Sequence, residues 1–108
     1  MYDTIDLRVC ETGRRTVIDF GEHDYLGLHS TQYRRELQDL IDCYDVEVLA
    51  IDMSGVGAIS SEVFGTLAWL LTRVKVEVLN PSDVVREVLE ATRLDERIEI
   101  IEHDPATA

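Results

Sequence analysis

The chain has 108 residues, is 45% hydrophobic, and carries 22 Asp and Glu against 10 Lys and Arg, a formal net charge of -12. That length suits one compact domain able to bury a core without staples, and the acidity repels nucleic-acid phosphates and anionic membrane surfaces alike. Two cysteines, Cys10 and Cys43, make no disulfide framework, and neither the start of the chain nor its longest apolar run, 67–71, suits a signal or a bilayer span, so the expectation is a cytoplasmic protein with a protein partner and no membrane insertion.

In chain order, Ile5, Leu7 and Val9 alternate with polar neighbours and predict a half-buried strand. Glu11-Thr12-Gly13 predicts a turn and 16–20 a second strand, which together make an antiparallel hairpin. The stretch 21–29 has no clean period and is expected to be a loop. Ser30 or Thr31 can cap a helix whose apolar face is Tyr33, Leu37, Leu40, Ile41 and Tyr44. Residues 46–53 form a nearly continuous β-branched apolar run, as in a buried strand, broken by Ser54-Gly55-Val56-Gly57.

A second helix is predicted over 61–72 on the face of Phe64, Leu67, Ala68 and Leu71, with Val63 and Leu70 flanking. Val74, Val76 and Val78 alternate with Lys75 and Glu77 as a further strand. Asn80 as cap and Pro81 at the first helical position predict a third helix, with Val84, Val85, Val88, Leu89 and Leu94 apolar. Ile98, Ile100 and Ile101 supply the last strand. The order β-β-α-β-α-β-α-β predicts an α/β fold with a mixed, mostly parallel sheet of about five strands, right-handed crossover helices and one antiparallel N-terminal hairpin. Residues 1–104 are expected to form the domain and 105–108 a frayed tail.

In an open α/β sheet the functional surface lies beyond the carboxyl ends of the strands. That directs attention to the loop after Met53 and the start of the second helix, where Ser60 and Ser61 meet unsatisfied first-turn N–H groups and a dipole that favours negative charge. Simple capping by Ser60 explains one serine, and a phosphate on a serine would be stabilised in the same place. Asp52 is expected to accept backbone N–H bonds from the following loop. Gly55 and Gly57 match neither a dinucleotide fingerprint nor a P-loop and are expected to be turn glycines. No nucleophile elbow surrounds Ser61, with Ile59 before it and Val63 after it. His23, His29 and His103, even with Asp24 and the cysteines, fit no zinc spacing. No catalytic residue, metal or cofactor is therefore expected. Trp69 beside an apolar helix face is expected to pack there.

The ordered set Val48-Leu49-Ala50-Ile51-Asp52-Met53-Ser54-Gly55-Val56, Ile59-Ser60-Ser61 and Gly65 resembles a STAS domain, the fold of bacterial anti-sigma factor antagonists. Val76-Glu77-Val78-Leu79-Asn80-Pro81, Leu94-Asp95 and Gly21-Glu22-His23-Asp24 are similar to further family segments. The resemblance implies a regulatory module that docks an anti-sigma factor serine kinase, a substrate and ligand that is itself no enzyme. It places the phosphoacceptor at Ser61 and partner contacts at Glu22, Asp24, Asp52, Ser54, Gly55, Gly57, Ser60, Ser61, Glu62 and Phe64. The chain departs from the family's Asp-Ser-Ser/Thr-Gly-Leu motif by Ser60 for the Asp, Glu62 for the second hydroxyl residue, Val63 for the Gly and Phe64 for the Leu. A fixed charge at Glu62 either imitates part of a phosphorylated state or opposes a real phosphate. The alternative implied by these departures is a non-phosphorylated STAS scaffold subunit of a stress-signalling or transport complex. Homodimerisation stays open.

Overall fold

In a computed structural model of the chain, the elements are β1 (Arg8–Glu11), β2 (Arg15–Asp19), α1 (Ser30–Tyr44), β3 (Val48–Asp52), α2 (Ser61–Leu71), β4 (Lys75–Leu79), α3 (Asp83–Ala91), a 3₁₀ turn (Leu94–Glu96) and β5 (Glu99–Ile101). The structure describes residues 8–22, 24, 26, 27 and 30–102. The expectations placed on Ile5, Leu7, the three histidines and the tail lie outside these residues.

The sheet has the order β1-β2-β3-β4-β5, with β1 antiparallel to β2 and the other neighbours parallel. One register row runs Ile18, Ile51, Val78, Ile100 across it. Each parallel crossover steps to the next strand in the same direction. Right-handed crossovers of that kind put every connecting helix on the same face. The core agrees: Ile18, Leu49, Ile51, Val76 and Val78 form one buried cluster with Tyr33, Leu37 and Ile41 of α1, Val63, Leu67 and Leu70 of α2, and Val85 and Leu89 of α3. The spacing of four in Tyr33, Leu37, Ile41 and in Val85, Leu89 is what one helical face requires.

Side chains of the opposite parity turn to the helix-free face. There Arg15 reaches across β3 to Glu77, with Nη2 and Oε1 2.7 Å apart. The small Ala50 on that face, fully buried, leaves room for the crossing.

Four boundaries differ from the sequence expectations. Glu11 belongs to β1, whose pairing with β2 shifts register between Val9 and Glu11. Tyr44 is largely exposed at the end of α1, where Asp45 takes a left-handed φ of 50° and the Val46 N–H donates back to Ile41 O at 3.1 Å. The third helix is capped by Ser82 and not by Asn80. Asn80 has a left-handed φ of 53°, whereas a cap needs extended backbone, which Ser82 has with φ -68° and ψ 166°. Val84 is consequently outside the buried face at 50% exposure. Arg93, at φ 62°, ends α3 before Leu94, which falls in the separate 3₁₀ turn.

Candidate functional site

The site is assembled where β3 runs out of strand partners. Met53 N–H still donates to Leu79 O at 2.9 Å, holding the chain beside β4 for one residue more. Asp52 then turns it, its Oδ1 accepting the Ser54 N–H at 2.9 Å as expected of an Asx turn. Val56 N–H closes onto Met53 O at 3.0 Å. The two glycines serve a purpose other than turn flexibility. A Cβ on Gly55 would stand 2.7 Å from Gly21 O, and one on Gly57 would stand 2.6 Å from Asp24 O. Both are places where two backbones meet too closely for a side chain.

That contact is extended by a short parallel bridge between Leu26 and Ile59. Leu26 N–H donates to Ala58 O at 2.8 Å, and Ser60 N–H donates to Leu26 O at 3.0 Å. The loop 53–60 is thus laced to the loop 21–26. A third tie comes from α3, whose cap Ser82 donates its hydroxyl to Gly57 O at 2.9 Å while accepting from Val85 N–H at 3.2 Å. The start of α2 is therefore held from both sides.

Ser60 and Ser61 have different environments. Ser60 is 6% exposed and caps α2, with φ -83°, ψ 167° and Oγ accepting the Val63 N–H at 3.3 Å. Ser61 is exposed at the first helical position, and Glu62 beside it is exposed in the first turn. Phe64 is half-buried against the core. Of the expected contact residues, Glu22, Asp52, Ser54 and Gly55 line one open polar cleft of roughly 240 Å³. Gly57, Ser60, Ser61 and Glu62 continue from it along the chain, and Asp24 is joined through Gly57.

The cleft also contains groups with no local signal in the sequence. The antiparallel register sets Arg8 opposite Asp19. Asp19 accepts from Arg8 Nε at 2.8 Å, Cys10 Sγ at 3.2 Å and Gly21 N at 3.0 Å. Burial by itself would raise the Asp19 carboxyl, but the bonds from Arg8, Cys10 and Gly21 outweigh it and hold the group below its ordinary value of 3.8. The hydrogen bond to Asp19, followed by desolvation and the carboxylate's charge, pushes the Cys10 thiol up. A raised thiol is a poor nucleophile at neutral pH. Among the described residues, no three His, Cys, Asp or Glu side chains gather to hold a metal ion. No helix there is long and apolar enough to cross a membrane.

The fold recurs in solved structures. SpoIIAA, an anti-sigma factor antagonist, in its unphosphorylated form superposes with a TM-score of 0.74 at 18% identity, over 94% of this chain and 90% of that one. A candidate anti-sigma factor antagonist from Thermotoga maritima gives 0.70 at 15%, over 94% and 89%. SpoIIAA in its phosphorylated form, described as a Bacillus cell fate determinant, gives 0.64 at 19%, over 94% of both chains. No curated protein sequence matches the chain. A profile of the STAS domain family matches residues 8–106, from the first described strand past the last. With the sheet order and the loop-to-helix surface already in place, that match assigns the chain to the STAS domain family.

Proposed function

We propose that this domain is a cytoplasmic switch module in transcription regulation that docks an anti-sigma serine kinase through the loop 52–60, the first turn of α2 and the adjoining loop 21–26. Ser61 is the phosphoacceptor, and the domain is the substrate and ligand, never the catalyst. One observation carries this reading: the Ser61 hydroxyl is exposed at the first position of α2, one residue beyond a buried serine that already caps the helix. The two hydroxyls have separate tasks, so modification of Ser61 leaves the cap intact.

A phosphate at Ser61 adds about 1.5 to 2 negative charges. It would lie beside first-turn N–H groups and the positive end of the helix dipole, which stabilise it locally. The domain can then change its surface charge without refolding. SpoIIAA has this fold in both phosphorylation states. Ser60 supplies the capping oxygen of the missing motif Asp, since Ser and Asp cap about equally well. Glu62 returns one negative charge to the same turn. The edge carrying Asp24, Asp52, Glu62 and Asp83 suits a cationic partner face.

The test is phosphate mapping. Wild type and Ser61→Ala are incubated with ATP and extract of the source cells, then digested for mass spectrometry. The proposal expects one phosphate on the Ser61 peptide of wild type and none on the variant. Phosphate elsewhere, or none, overturns the switch. The outcome without phosphate is the one expected of the second reading, a constitutive STAS scaffold subunit, which Glu62 and Val63 in place of the motif hydroxyl residue and glycine favour.

A further inference from the structure

The chain's single tryptophan, Trp69, stands on α2 away from its N-terminal turn. Two guanidinium groups lie over its ring. Arg73 Cζ is 4.9 Å and Arg34 Cζ 5.7 Å from the ring centroid. Arg73 follows the same helix, whereas Arg34 belongs to α1. Arg34 also lies against α2 at Gly65, where an added Cβ would meet its Nη2 at 3.5 Å. That is an ordinary contact distance, so Gly65 marks where Arg34 crosses from α1 onto α2.

Ion pairs among the described residues join Arg8 to Asp19, Arg14 to Glu47, Arg15 to Glu77 and Arg86 to Glu102. Neither Arg34 nor Arg73 is in one, in a chain with 22 carboxylate side chains. Arg34 Nε is in addition buried without a hydrogen-bond acceptor. Stacking on an aromatic ring occupies the faces of a guanidinium and leaves its N–H edge available, and the planar fork matches a carboxylate bidentately. Holding the fork on the ring beforehand also reduces the entropy lost when an acid binds.

We propose that this α1–α2 face is a docking site for an acidic peptide segment of a partner protein, with carboxylates received by Arg34 and Arg73 beside Trp69. Charge complementarity selects the occupant. The net charge of -12 opposes it mainly at long range, because at 0.1 M salt the screening length is about 10 Å. Glu62 is seven residues from Trp69, roughly that distance along the helix, but three from Gly65, where Arg34 Nη2 lies, so Arg73 is the less opposed of the two receptors. A free small anion gains one charge-assisted contact on an open surface. A run of carboxylates engages both forks and covers the exposed part of the ring.

Trp69 makes the test direct, since all indole fluorescence comes from this position. The intact chain is titrated with hexaglutamate, and separately with inorganic phosphate and free glutamate, in about 0.05 M salt. The expected result is a saturable change in Trp69 emission with hexaglutamate, weakened about tenfold or more by Arg73→Gln and by raised salt, with neither small anion saturating in the same range. Arg73 is exposed, so this variant keeps the fold even if Arg34→Gln does not, and circular dichroism checks both. Absence of a saturable change, equal affinity in Arg73→Gln, or phosphate saturating as readily as the peptide would overturn the proposal.

Discussion

Ser60 and Ser61 are neighbours with opposite burial, and their substitutions should separate accordingly. Ser60→Ala removes the Val63 N–H acceptor and should cost about 1 kcal/mol. Ser61→Ala should stay within about 0.5 kcal/mol of wild type, and urea unfolding of the two variants checks the difference. Gly57→Ala places a Cβ against backbone that cannot swing away. It should cost about 1–3 kcal/mol by the same measurement, and a neutral result would show that the two loops are not closely packed. The serine cap and the Asx turn at Asp52 were legible in the sequence because both are contacts within three residues. The glycines were legible only as breaks. Their close approach to Gly21 and Asp24 joins segments more than thirty residues apart, and no local pattern encodes it. Asp19 was hidden for the same reason, since its partner Arg8 is set by strand register.

At the scale of elements, alternation located the strands and α-helices among the described residues, and the errors lie at the ends and in two faces: α2 buries Val63, Thr66, Leu67 and Leu70 while Ala68 is exposed, and Val9, expected on the buried side of β1, is 45% exposed. Asn80-Pro81 has the residue types of a helix start, but the left-handed Asn80 backbone cannot cap, and Ser82 takes the role while also reaching Gly57. The end of α1 is a bond from Val46 N–H to Ile41 O across a left-handed Asp45, the arrangement that usually uses glycine. Asp45 is exposed and adds a negative charge at the negative end of the helix dipole. Asp45→Gly should therefore raise stability by up to about 1 kcal/mol. A fall in the denaturation midpoint would show that the Asp45 side chain has a stabilising contact.

For the whole molecule, the sequence order implied parallel strands, but placing all the helices on one face needed the strand order β1-β2-β3-β4-β5. That order leaves the second face to charged pairs and puts the candidate site at the carboxyl edge. The pairs there link stability to pH. Asp19 is held below 3.8, so its contribution is present above that value and is lost as pH falls through the lower folded pKa. Asp19→Asn should be less stable than wild type at pH 7, by under about 1 kcal/mol because Arg8 is exposed, and the gap should close only below pH 3.8. A gap independent of pH would assign the effect to packing. Docking of a kinase by the Ser61 surface, and its release by charge, can be measured as binding. Wild type, Ser61→Ala and Ser61→Glu are immobilised side by side, and their affinities for the anti-sigma serine kinase recovered from the source cells are measured. Equal retention by wild type and alanine is expected, with a loss of about tenfold or more for glutamate. Equal affinity for all three would contradict it.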